Sequence, residues 1–99
     1  MPYFVYILYA ERFDKYYIGQ TSSVNLRLER HNEFDMINSF TAKYRPWKLS
    51  AYVEVGQSRG DAMKVERRLK ALKSKKMLAQ FIAHPEKLFE FARDTLAFL

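Results

Sequence analysis

Glu66 is the residue whose type and position most clearly suggest chemistry. Apolar residues recur at spacings of three and four from Ala62 to Leu72, which predicts a helix with one buried face. On an ideal helix Glu66 would lie about 80° from the centre of that face, at its edge. Arg67 and Lys70 are its neighbours. The carboxylate would therefore be either an ion-pair partner or the ligand of one divalent cation at a basic surface.

Arg27 and His31 form a second candidate pair. They are four residues apart in the segment "VNLRLERHN", in which Val24 and Leu28 form a short apolar stripe. Residues at this spacing share one face of a helix, so a guanidinium and an imidazole would be presented together. The alternative is a solvated helix edge, and a single histidine is more often structural than catalytic.

Two tyrosines are the third feature. Tyr6 and Tyr17 lie in the aromatic-rich segments "YFVYILYA" and "KYYIGQT", which we predict to be the antiparallel strands of a hairpin. The four-residue connection Glu11–Asp14 would place both rings on one face of the sheet. Gly19 follows on that face, where a missing side chain permits close approach of a ligand or a neighbouring backbone. Packing is the commoner explanation for such a tyrosine pair.

Composition narrows the class of protein. The 99 residues, 48% of them apolar, fit one domain over residues 1–99 with one core. Cysteine is absent, so a bound metal would have carboxylate, imidazole or water ligands, which favours a hard cation. The N-terminus does not resemble a signal peptide, and no apolar stretch approaches the roughly 20 residues needed to span a bilayer. We expect a cytoplasmic protein with no membrane partner.

The net charge of +6 is concentrated in one segment, because Lys64–Lys76 holds seven bases and one acid. This run predicts a nucleic-acid surface, although a solvated helix face is the alternative. It lacks the broad apolar face of a membrane-surface helix. The candidate phosphate-contacting residues are Arg67, Arg68, Lys70, Lys73, Lys75 and Lys76.

The remaining elements complete an α/β domain of the α+β type, with a three-stranded antiparallel sheet flanked by helices. "EFDMINSFTAKYRP" is predicted to be a connecting loop, and "WKLSAYVEV" the third strand. The helix from Arg59 should break near Ser74, because an unbroken helix would bring Lys76 into its apolar face. A second helix follows, and a last one is predicted over about 85–98 with Pro85 in its first turn.

Together these residues resemble the GIY-YIG nuclease domain. "FVY" at Phe4–Tyr6 and "YIG" at Tyr17–Gly19 are followed by Arg27 and His31 on a helix and by Glu66 on a later one. The resemblance covers about residues 2–83 and is greatest to small stand-alone bacterial members, which are similar to the N-terminal nuclease part of the excision-repair endonuclease. Phe4 stands where the motif name has glycine.

The resemblance implies a divalent-metal-dependent endonuclease that hydrolyses DNA phosphodiester bonds, with structure or single-strand selectivity and a setting in DNA repair. It implies that Tyr6, Tyr17, Arg27 and His31 are catalytic and that Glu66 holds one Mg²⁺ or Mn²⁺. Gly19 would be the structural motif glycine. RNA is not excluded as a substrate. The resemblance also leaves undecided whether the protein forms a homodimer or binds a protein partner. The alternative function is a catalytically weak or inactive nucleic-acid-binding module on the same scaffold.

Overall fold

A computed structural model describes residues 1–32 and 43–97, without the side chain of Arg30. In these two ranges the chain forms three strands and four helices, apart from a short 3₁₀ turn, Glu11–Phe13. In chain order they are β1 (Tyr3–Ala10), β2 (Lys15–Thr21), α1 (Val24–Asn32), β3 (Lys48–Gly56), α2 (Arg59–Ala71), α3 (Lys75–Ala83) and α4 (Pro85–Ala97). Most of the predicted loop before β3, and Phe98 in the predicted last helix, lie outside the described residues.

The sheet has the order β2-β1-β3 and is antiparallel throughout, as predicted. Ala10 pairs with Lys15, so four residues connect β1 and β2. In this register Tyr6 is opposite Gly19, and Leu8 is opposite Tyr17. Since residues two apart on a strand point to the same face, Tyr6 and Tyr17 share a face. The hairpin prediction is confirmed.

Each face of the sheet carries its own apolar cluster. On one face Val5, Ile7 and Ile18 pack with Val65 and Leu69 of α2, and α3 and α4 extend this core. On the other face Tyr6 and Leu8 pack with Trp47 and with the Val24–Leu28 stripe of α1. Helices therefore cover both faces, and β1 at the centre contributes alternate side chains to each cluster.

Two serines mark where the long helical segment starts and where it is interrupted. The Ser58 hydroxyl accepts a hydrogen bond from the Asp61 backbone N–H at the start of α2. The Ser74 hydroxyl accepts one from the Met77 N–H at the start of α3. Lys73, between α2 and α3, has a φ of 47°. Because this left-handed conformation stops a helix, the predicted break near Ser74 is confirmed.

None of the helices found in residues 1–32 and 43–97 has the length and apolar character needed to cross a membrane.

Candidate active site

Gly19 makes room for the Tyr6 ring. A Cβ atom added at Gly19 would lie 2.6 Å from Cζ of Tyr6, closer than side chains tolerate. The bare backbone on β2 therefore lets the ring of the facing residue on β1 lie flat across it. The space at this glycine is occupied by the Tyr6 side chain, and not by the ligand or neighbouring backbone that the sequence predicted.

The aromatic rings of Tyr6, Tyr17 and His31 form one group. The ring centroids of Tyr17 and His31 are 4.5 Å apart, and those of Tyr6 and Tyr17 are 6.3 Å apart. Trp47 borders the group, with its ring centroid 6.3 Å from that of Tyr17. α1 thus places the imidazole of His31 directly against the tyrosine-bearing face of the hairpin.

His31 is buried, with 1% of its surface exposed. Its Nε2 lies 3.0 Å from the Tyr6 hydroxyl, and its Nδ1 has no hydrogen-bond partner among the described residues. Burial, followed by the charge of Arg27, lowers the pKa of His31 to about 4. The imidazole is therefore neutral at physiological pH. Its hydrogen bond to the site is made with Tyr6, and its ring packs against Tyr17.

The tautomer of His31 follows from this environment. A neutral imidazole has one N–H donor and one acceptor nitrogen. With the proton on Nε2, His31 donates to the Tyr6 oxygen, and only an acceptor is left without a partner. The other tautomer would leave a buried N–H donor without one, which is rarer in proteins. The Tyr6 hydroxyl then keeps its own proton to donate elsewhere.

Arg27 and Glu66 both act on the Tyr6 hydroxyl. Burial, and then the neighbouring Tyr17, raise the pKa of Tyr6 well above its ordinary value. Arg27 opposes this rise through its positive charge, whereas Glu66 adds to it. Two opposite charges from different helices therefore lie near one phenol, which stays protonated at neutral pH unless a further positive charge approaches.

Glu66 lies at the edge of the buried face of α2, as its position in the helical pattern predicts. Its side chain is 20% exposed and forms an ion pair with Lys70 at 3.0 Å. The Lys70 Nζ is also 6.0 Å from the centroid of the Tyr17 ring. α2 packs chiefly against β2, which is an edge strand. Glu66 and Lys70 therefore reach the tyrosine-bearing face beside that edge.

Glu66 suits a metal that takes few protein ligands. Within residues 1–32 and 43–97, no three side chains of His, Asp or Glu gather as a metal-binding group. With Arg67, Lys70 and Met63, Glu66 lines a shallow groove of about 220 Å³. A partly exposed carboxylate in such a groove fits Mg²⁺, which keeps several waters and takes one or two carboxylates. The donor set is thus compatible with a single hydrated hard cation.

The six candidate phosphate-contacting residues have different surroundings. Arg68 is occupied, since its guanidinium donates to Thr95 Oγ1 at 2.8 Å and lies 4.7 Å from the centroid of the Phe91 ring. Lys75 is also occupied, with Nζ 2.8 Å from the backbone oxygen of Asp14 and 3.1 Å from its carboxylate. Arg68 and Lys75 thus have structural partners. Arg67, Lys70, Lys73 and Lys76 are exposed.

Sequence analysis did not single out Arg59, which lines a polar groove together with Arg27. The spacing of Arg59 from Glu66 could have identified it. Arg59 is seven residues before Glu66, so the two lie on nearly the same face of a helix, two turns apart. The ion pair of Glu66 with Lys70 agrees with the ion-pair alternative that the sequence left open for this carboxylate, since a spacing of four places both residues on one helix face.

Comparison with known protein families gives one match. The model of the GIY-YIG catalytic domain matches residues 2–79, which include β1 through most of α3 and all five residues gathered here. Comparisons with curated proteins and with solved structures give no match. The domain is of a nuclease type whose members generally use divalent metals and act on nucleic acid. On this match and on its fold, the chain belongs to the GIY-YIG family.

Proposed function

We propose that the protein is a divalent-metal-dependent endonuclease that hydrolyses DNA phosphodiester bonds. The observation that carries the proposal is the convergence of five side chains from four elements. Tyr6 from β1, Tyr17 from β2, Arg27 and His31 from α1, and Glu66 from α2 lie around the tyrosine-bearing face. A protein that only binds nucleic acid has no need of this grouping.

Arg27 supplies fixed positive charge at the scissile phosphate. It is half-buried and already influences the Tyr6 hydroxyl by its charge. A planar guanidinium can donate two parallel hydrogen bonds to phosphate oxygens, which a lysine cannot do. Negative charge spreads over those oxygens as the phosphodiester reacts, and a positioned donor stabilises it.

Tyr6 positions the attacking water or removes its proton, and Tyr17 orients that water. An isolated buried phenol is a poor base at neutral pH, because burial raises the pKa of Tyr6. The imidazole of His31 favours deprotonation if its N–H donates to the Tyr6 oxygen, since it then stabilises the phenolate. His31 therefore acts through Tyr6, to whose hydroxyl its Nε2 lies at 3.0 Å.

Glu66 would hold the cation, Mg²⁺ or Mn²⁺, together with water molecules. When bound, such a cation stabilises charge on phosphate oxygens and lowers the pKa of a bound water. Lys70 then has to give up part of its ion pair with Glu66, at 3.0 Å. Its exposed position lets its ammonium turn toward the incoming phosphate backbone instead.

The substrate we propose is DNA, recognised through its phosphates. Arg67, Lys70, Lys73 and Lys76 offer charge without a motif that reads base edges, which suits selection by strand structure, including single strands, rather than by sequence. We propose a role in DNA repair, which the resemblance to the excision-repair nuclease part supports.

The proposal is tested by cleavage assays on single-stranded, nicked, branched and linear duplex DNA. Each is incubated with Mg²⁺, with Mn²⁺ and with a chelator. We expect cleavage of at least one form, dependent on metal and abolished in Glu66→Ala. Glu90→Ala is the control, because it removes an exposed carboxylate from α4. DNA binding in chelator should survive in both variants.

Two outcomes contradict this proposal in different ways. Undiminished cleavage by folded Glu66→Ala protein would overturn the assignment of the metal ligand. Tight DNA binding without cleavage of any DNA or RNA form by the unmodified protein would favour the nucleic-acid-binding module.

A further inference from the structure

A polar groove of about 310 Å³ lies beside the five gathered residues, and the proposed chemistry does not use it. Its walls include the turn Gln20–Ser23 at the end of β2, Arg27 on α1 and Arg59 on α2. Arg27 belongs both to this groove and to the site around Tyr6. The groove therefore continues directly from the place where the scissile phosphate would lie.

Arg59 extends the α2 face that carries Glu66. The two residues are separated by seven positions, about two turns, or roughly 10 Å along the helix and about 20° around it. Asp61, in the first turn of α2, is about 160° around the helix from Arg59 and so faces away. A chain passing from Glu66 along α2 would meet Arg59 before it left the domain.

Arg59 and two serine hydroxyls of the groove have no hydrogen-bond or ion-pair partner among the described residues, whereas Arg27 also bonds the Tyr6 hydroxyl. Neither Arg27 nor Arg59 forms an ion pair with any described residue. The turn is held by Thr21, whose Oγ1 accepts from the Ser23 backbone N–H at 3.0 Å. Throughout the described ranges, the hydroxyls of Ser22 and Ser23 make no hydrogen bond. They are thus available to an anionic ligand.

We propose that this groove binds a second backbone phosphate of the DNA strand, one or two nucleotides from the scissile bond. Arg59 and the Ser22 and Ser23 hydroxyls hold this phosphate. This inference rests on the proposed function, and it names residues that position the strand rather than react with it. It explains why two guanidiniums, from α1 and α2, line one polar groove without carboxylate partners among the described residues.

The first test measures DNA affinity against salt concentration, in chelator so that no cleavage occurs. We expect Arg59→Gln to weaken binding about tenfold, the effect of losing one charge-assisted hydrogen bond. The slope of log affinity against log salt should decrease in magnitude by about 1. Arg12→Gln is the matched control, because this exposed arginine lies in the 3₁₀ turn at the opposite end of the hairpin. It should change neither quantity.

The second test locates the phosphate. A series of oligonucleotides, each with one neutral methylphosphonate, is bound to the unmodified protein and to Arg59→Gln. Among the positions at which a methylphosphonate weakens binding to the unmodified protein, we expect one to have no further effect on Arg59→Gln. Ser22→Ala should partly reproduce that loss.

The outcomes separate this proposal from the nuclease proposal. Equal affinity of Arg59→Gln and the unmodified protein, with both folded by circular dichroism, would overturn the groove assignment. The groove assignment would also be overturned if every methylphosphonate that weakens binding to the unmodified protein weakened binding to Arg59→Gln equally. An Arg59-dependent phosphate in a protein that cleaves nothing would uphold the groove and overturn the nuclease. Cleavage by a protein whose DNA affinity does not depend on Arg59 would uphold the nuclease and overturn the groove.

Discussion

The Tyr6 hydroxyl and the His31 Nε2 lie 3.0 Å apart, and each residue has 1% of its surface exposed. The hydrogen bond joins the central strand to the helix on its tyrosine-bearing face. It fixes the orientation of the phenol while keeping the imidazole from solvent. Under the proposed function the same contact also acts in catalysis, and different measurements separate the structural effect from the catalytic one.

Tyr6→Phe removes the hydroxyl and leaves the ring over Gly19. We expect cleavage to fall by at least a hundredfold, since the water loses the group that positions it. The unfolding free energy should decrease by only about 1–3 kcal/mol, because His31 Nε2 loses its partner. Turnover is measured with saturating DNA and metal, and stability by urea denaturation. Turnover equal to that of the unmodified protein would refute the role of Tyr6.

The stability of the protein should depend on His31 below neutral pH. The pKa of His31 is about 4 in the folded protein and 6.5 in the unfolded chain, so only the unfolded chain takes up a proton between these values. Stability is therefore fully present above pH 6.5 and decreases as pH falls, by up to roughly 3 kcal/mol near pH 4. The groups facing this imidazole are Tyr6, Tyr17 and Arg27.

Urea denaturation at several pH values measures this dependence. His31→Gln should lose the decrease that belongs to His31, whereas His84→Gln should retain it, because His84 is exposed beside Glu86. A residual decrease at lower pH is expected in all variants, since hydrogen bonds from Tyr9 and Lys75 lower the pKa of Asp14. Identical pH profiles for the two glutamine variants would exclude the burial of a neutral His31.

Gly19→Ala should lower both stability and cleavage, whereas Gly60→Ala should lower neither. A Cβ at Gly19 would force the Tyr6 ring to move, whereas one at Gly60 would make ordinary contact 3.6 Å from the Ser58 hydroxyl. We expect Gly19→Ala to lower the unfolding free energy by about 1–3 kcal/mol and to reduce cleavage further than that loss explains. Gly60→Ala, in the first turn of α2, should be neutral or stabilising by up to about 1 kcal/mol. Equal effects would contradict the close packing of Tyr6 on Gly19.

Lys73→Glu combined with Lys76→Glu should weaken DNA binding and flatten its salt dependence, because both lysines are exposed on the proposed phosphate-contacting surface. The control is Lys48→Glu combined with Lys87→Glu, which makes the same charge change on β3 and α4. Affinity is measured by fluorescence anisotropy in chelator. If both double variants bind alike, the effect is one of net charge and not of this surface.

Arg68→Ala should affect stability rather than DNA binding. Its guanidinium packs on Phe91 and bonds Thr95, which joins α2 to α4. We expect a loss of about 1 kcal/mol in the unfolding free energy, with unchanged affinity in the folded fraction. Denaturation and anisotropy on the same preparation give both values. A large loss of affinity would return Arg68 to the phosphate-contacting surface.

Local rules of sequence were enough to predict much of this arrangement. Strand parity across a four-residue connection placed Tyr6 and Tyr17 on one face, and helical periodicity placed Glu66 at the edge of a buried face. The break near Ser74 was predicted because Lys76 would otherwise enter the apolar face of the helix. Each inference needs only the geometry of a single hairpin or helix.

Contacts between distant segments could not be predicted in the same way. The ion pair between Asp14 and Lys75 joins residues 61 positions apart, and no local pattern marks it. The burial of His31 was within reach, because Val24, Leu28 and His31 follow the three-and-four spacing of one helix face. The contact of His31 with Tyr6 could not be predicted, because it depends on how α1 packs on the sheet.

The edge position of β2 has a consequence for assembly. A strand that added to β2 from another molecule would extend the sheet beneath Glu66 and Lys70, which reach the tyrosine-bearing face beside that edge. It would obstruct the approach of a nucleic-acid strand to Tyr17. β3 forms the other edge and lies across β1 from β2. If two copies paired strand to strand, pairing through β3 would leave the tyrosine-bearing face beside β2 open, whereas pairing through β2 would obstruct it.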